Sequence, residues 1–157
     1  MQYQELTEFE VRDDVWLGLR LTELWDNYFP DVERLNLVST KFGRRAKRVL
    51  GSIREDKKSE ASVITINRLL VSPDIPLFVI DAILVHEMIH YSDGFNSPHL
   101  KLRAHPHRGN VMMNEFRSRG LLDLFTAHKN WVKENWIGVL ERNGFEIKRR
   151  IRIRKWR

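Results

Sequence analysis

Apolar positions along the chain change period several times, and each change predicts an element. Trp16, Leu17, Leu21, Leu24, Trp25 and Tyr28 recur at helical spacing over 13–29. Asp13 or Asp14 can cap that helix, and Pro30 ends it. Three strand-like runs follow near 32–39 (VERLNLVS), 47–54 (KRVLGSIR) and 62–70 (SVITINRLL). The β-branched residues 63–66 favour a pleated surface, and the polar stretch REDKKSE suits a hairpin between the second and third runs.

SPDIP at 72–76 then breaks the chain, with Asp74 as a possible cap for a helix over 76–92. That helix is apolar on nearly every side up to Val85, which predicts burial. Gly94, Pro98 and Pro106 mark 93–106 as a loop. Further helices are predicted over 107–119 and 123–142, ending at Gly120 and Gly144. In the tail, Ile147, Ile151 and Ile153 share one parity while Lys148, Arg150, Arg152 and Arg154 share the other, as in a strand with one apolar and one basic face. Trp16, Trp25, Trp131 and Trp136 fall on helix faces and are assigned to the core. Trp156, within the basic tail, is free to stack on a base. The sum is an α+β fold in one domain over 1–157, with 145–157 as a basic tail.

With 157 residues and 42% hydrophobic content, the chain can bury a core without staples. It has no cysteine, which excludes disulfides, thiolate catalysis and Cys-based zinc fingers. The acidic, polar start does not read as a signal peptide, and the run 75–85 is too short to span a bilayer. A cytoplasmic protein with no membrane contact is the expectation.

The net charge of +6 is unevenly spread. Residues 148–157 hold seven basic groups and no acid, so the rest nets −1. Residues 1–33 carry nine carboxylates against Arg12 and Arg20, and a second basic cluster lies at Lys41, Arg44, Arg45, Lys47 and Arg48. The strip is suited to DNA or another polyanion, or equally to a solvated edge.

Residues 86–90 read HEMIH. Helical residues four apart differ by about 40° and lie about 6 Å apart along the axis, so His86 and His90 can reach one Zn2+. Glu87 is turned about 100° away and flanks the metal instead of binding it. It is placed to take a proton from a zinc-activated water and pass it to a leaving amine. A third ligand is required. The longer motif HExxHxxGxxH is excluded, because Asp93 and Asn96 stand where it needs glycine and histidine. His107, at the start of the next predicted helix, is preferred, ahead of His105 and Glu115. His99 is a further choice, and His128 reads as a surface or packing residue.

The stretch 48–91, RVLGSIR…SVITINRLL…PLFVIDAILVHEMIHY, resembles the SprT-like zinc metallopeptidases and the related minigluzincins. The resemblance follows element order over about 13–136 but is specific only across 48–91. It implies a minimal zincin-like fold: an N-terminal helix, a three-stranded sheet, the zinc helix and two further helices, here with a C-terminal basic strand. It also implies hydrolysis of a protein or peptide substrate in a short cleft. The family's third ligand is a His opening the next helix, with an aromatic soon after. His107 matches, although Val111 and the later Phe116 depart from the spacing. Some members act on proteins bound to DNA, and some minigluzincins are held inactive by their own C-terminal segment. The leading expectation is therefore a zinc endopeptidase built on His86, Glu87, His90 and His107. The alternatives are a silent module binding nucleic acid through its tail, and an enzyme restrained by that tail as an added strand.

Overall fold

The computed structural model describes residues 11–102 and 105–148. Helix α1 spans Asp14–Tyr28 and is capped by the Asp13 side chain, which accepts from the Trp16 N–H at 2.8 Å. Three short strands follow: β1 Val38–Phe42, β2 Gly51–Glu55 and β3 Ser62–Ile66. They form one mixed sheet in the order β1-β3-β2, parallel between β1 and β3 and antiparallel between β2 and β3. A 3-10 turn, Arg68–Val71, leads to α2, Leu77–Ser92. Helices α3, Val111–Ser118, and α4, Leu122–Arg142, complete the α+β arrangement.

The helix limits of α1, α2 and α4 agree with the pattern within a residue, whereas the strands do not. The first run begins six residues later than its alternation suggests. Leu35 and Leu37 stay 48% and 70% exposed, and the backbone finds side-chain partners instead of a strand. The Leu35 N–H donates to the Tyr91 hydroxyl at 3.0 Å, and Asn36 bridges to the Glu60 carbonyl and the Ser62 hydroxyl. The second run starts as a strand only at Gly51. Residues 43–50 instead cross the end of β3, pinned by Asn67, whose amide donates to the carbonyls of Ala46 and Val49. The third run stops at Ile66, where Asn67 caps the 3-10 turn through the Leu69 N–H.

Two further expectations are corrected. Asp74 does not cap α2, which starts behind Pro76 without a side-chain cap. Residues 107–110 are turn and not helix, because α3 begins only at Val111. In the tail, 145–148 show no strand, and the rest of the expected strand, with Trp156, lies outside the described residues.

Alternation places Val38, Thr40, Phe42, Ile53, Ile64 and Ile66 on the sheet face that meets the helices. Helix α2 lies against it and is buried on all sides from Val79 to Tyr91. Each large apolar side chain so enclosed contributes about 1.5–3 kcal/mol. Trp25 and Trp136 join the core as expected, whereas Trp16 and Trp131 are only half-buried against it. Asp81, in the buried stretch, is matched by Arg20 of α1 through two bonds of 2.7 Å. Burial pushes the Asp81 carboxyl up and the Arg20 partnership opposes this. Among the described residues, no helix is long and apolar enough to cross a membrane.

Candidate metal centre

Helix α2 carries His86, Glu87 and His90 into the interior, each fully buried. The four-residue spacing turns both imidazoles to one side, and their Nε2 atoms stand 3.0 Å apart. His107 arrives from the turn before α3, with its Nε2 3.2 Å from that of His86 and 2.8 Å from that of His90. Among the described residues this is the group able to hold a metal ion. The other sequence candidates lie elsewhere. His99 donates from Nε2 to the Glu33 carbonyl at 2.6 Å, His105 is exposed in the turn, and Glu115 sits on α3 outside the cluster. His128 is not a surface residue. It is buried on α4 near enough to His86 to disfavour its protonation.

The donor set fits a divalent cation. Burial, then repulsion from His90 and His107, holds His86 well below its ordinary protonation range. Burial first, and His107 second, bring His90 down to about 4, and burial lowers His107. All three rings are therefore neutral at pH 7 and can offer lone pairs. Three such nitrogens can hydrogen-bond to one another only in part, by one donating to another, whereas a cation between them takes a lone pair from each. Tetrahedral zinc with bonds of about 2.0–2.1 Å would separate its ligands by roughly 3.3 Å, close to the spacing found. The chemistry of three imidazoles admits other divalent ions as well.

Glu87 is the second distinctive feature. Both of its carboxylate oxygens are buried and find no hydrogen-bond partner among the described residues. Burial raises its pKa well above the usual carboxylate range. An orphaned carboxylate in a protein core costs several kcal/mol or takes up a proton. A side chain on Gly51 would fall 2.3 Å from the Ile83 Cγ2 and 3.4 Å from the Glu87 Oε1. Glycine is thus what lets β2 lie against the motif helix. That residue is absent from the sequence-derived site, although a glycine inside a strand-like run is a known mark of close approach.

Phe95 packs on the His90 ring at 5.3 Å. No family model, curated protein or solved structure matches the chain.

Proposed function

We propose that the protein is a zinc-dependent peptidase, with the metal held by His86, His90 and His107 and with Glu87 as the general acid/base. One observation carries this reading: three neutral imidazole nitrogens converge within 3.2 Å, beside a buried carboxylate with no partner among the described residues. The α+β layout and the HEMIH helix also support extending the resemblance to the SprT-like and minigluzincin peptidases.

Bound zinc would supply Lewis acidity, lowering the pKa of a water and polarising the scissile carbonyl. The remaining work falls to the chain. His86 and His90 are held in fixed register by one helix, so their nitrogens need no reorganisation. Glu87 is raised in pKa by burial, and a cation held beside it would favour the ionised form that can act as a base. It takes the proton from the attacking water onto a carboxylate oxygen and returns it to the leaving amine nitrogen. A module that only bound a polyanion would have no use for this group and would gain stability by replacing it.

Glu87→Gln tests the assignment. The variant keeps the side-chain shape and should retain about one zinc per chain, while peptide hydrolysis falls by roughly 10²–10⁴-fold. A variant that cleaves as fast as wild type would sink the proposal.

A further inference from the structure

The outer face of the sheet, turned away from α2, carries a second concave site. Sheet register sets Lys41, Thr65 and Ser52 in one row across β1, β3 and β2, with Arg54 in the next row. The crossover 43–50 folds over this face at the end of β3. Gly43 permits that approach, because a side chain there would fall 2.5 Å from the Thr65 Cγ2. The result is an open cavity of about 560 Å³ whose lining includes Lys41, Arg44 and Arg54. Pockets for small ligands typically span about 300–1,000 Å³.

The chemistry of the lining is one-sided. It contains three cations, the hydroxyls of Ser52 and Thr65, and neither an acid nor an aromatic ring. The side chains of Lys41, Arg44 and Arg54 have no hydrogen-bond or ion-pair partner among the described residues. The nearest influence is exposed Asp56, within electrostatic reach of Lys41. Three like charges around one cavity repel, a cost that a multiply charged anion removes. Guanidinium forks match phosphate oxygens in pairs, and hydroxyls donate to the same group. The lining has no aromatic ring on which a base could stack, which leaves only the guanidinium planes of Arg44 and Arg54 for such contact. Those guanidinium groups match phosphate better than a base, so the phosphates become the recognised part. The concavity favours a compact ligand over an extended strand.

We infer that this cavity binds a small ligand carrying two or more adjacent phosphates, held by Lys41, Arg44 and Arg54. The site is separate from the metal centre and its proof does not depend on peptidase activity. The test is calorimetric titration of the full chain with inorganic triphosphate, orthophosphate and a single-stranded oligonucleotide at about 0.15 M salt, where distant surface charges are screened. Polyphosphates chelate metals, so each titration is repeated with EDTA.

Triphosphate should bind one to one, about 10-fold more tightly than orthophosphate, with or without EDTA. Lys41→Ser and Arg54→Ser, both at exposed positions, should each weaken it about 10-fold. Arg48→Ser, outside the lining, should leave it unchanged, and circular dichroism confirms that all three variants fold. Absence of binding, binding that EDTA abolishes, or affinity indifferent to both cavity substitutions overturns the inference. An oligonucleotide that binds more tightly than triphosphate overturns it in favour of an extended strand.

Discussion

The candidate metal centre draws on two regions built by different physics. Helix α2 presents His86 and His90 from a rod buried on every side, and their relation is fixed by backbone hydrogen bonding and core packing. The connection between α2 and α3, whose described residues, 93–102 and 105–110, form no strand or α-helix, delivers exposed His107. Its first half is tied down by single bonds. The Asn96 amide donates to the Ile53 carbonyl at 2.9 Å, the Ser97 hydroxyl to Tyr91 at 2.6 Å, and the Leu102 N–H to Asp93 at 3.0 Å. Two of the three candidate ligands are thus as stable as the core, while the third is as stable as a few loop contacts.

Metal affinity should report that inequality most strongly. If the cluster holds zinc as proposed, His90→Ala removes a preorganised ligand, and the metal content should drop from about one zinc per chain to none after dialysis. His107→Ala vacates a position that solvent can reach, so water can take its place. The loss there should be smaller, of roughly 100-fold. Competition with a zinc chelator checks both. Equal losses would mean that the loop ligand is as firmly placed as the helical pair, and the comparison would fail.

A glycine probes the loop without touching a ligand. Gly94 has φ +79°, and an added Cβ would lie 2.4 Å from the His99 carbonyl oxygen, a backbone atom that cannot swing aside. Gly94→Ala should cost about 1–3 kcal/mol in urea unfolding through strain and the shift of the loop. It should also weaken zinc about 10-fold, as a misplaced supporting contact does. Gly144 has a similar φ of +83°, but among the described residues nothing lies within 4 Å of an added Cβ. Gly144→Ala should therefore cost about 1 kcal/mol, the left-handed penalty alone, with metal affinity unchanged. Unaltered zinc affinity in Gly94→Ala would uncouple the loop from the third ligand.

The same inequality explains what could be read from the chain. HEMIH is legible because a helix turns sequence spacing directly into geometry, and α1, α2 and α4 follow the same logic. The strand limits are not legible, because partners distant in sequence set them. The Tyr91 hydroxyl holds Leu35 out of a strand, and Asn67 bends 43–50 into a crossover. His107, preferred from the sequence, does join the cluster able to hold a metal ion, but from the turn before α3 and not from the helix. Gly51 is missed because its contact, the flank of α2 at Ile83 and Glu87, is tertiary. Local pattern thus carries the helical half of the site, and long-range packing carries the rest.

The smallest effect concerns the anchor downstream of His107. Arg119, at the end of α3, donates to the Tyr28 carbonyl and to Asp31 at 2.8 Å, and its guanidinium lies 3.9 Å from the centre of the Phe29 ring. This ties the far end of the loop-bearing segment to α1. The hydrogen bond from Arg119 holds the Asp31 carboxyl below its usual range. A carboxyl with a lower pKa in the folded state stabilises the protein above its unfolded pKa, about 3.9, and loses that contribution as pH falls below it. The Asp31 side chain is 65% exposed, so solvent screens the pair and Asp31→Asn should cost only about 0.5 kcal/mol at pH 7. The urea midpoints of wild type and variant should converge as the pH falls through the lowered pKa of the folded carboxyl. A loss well above 1 kcal/mol, or a gap that persists in acid, would mean that packing around the pair, not its charge, secures this end of the loop.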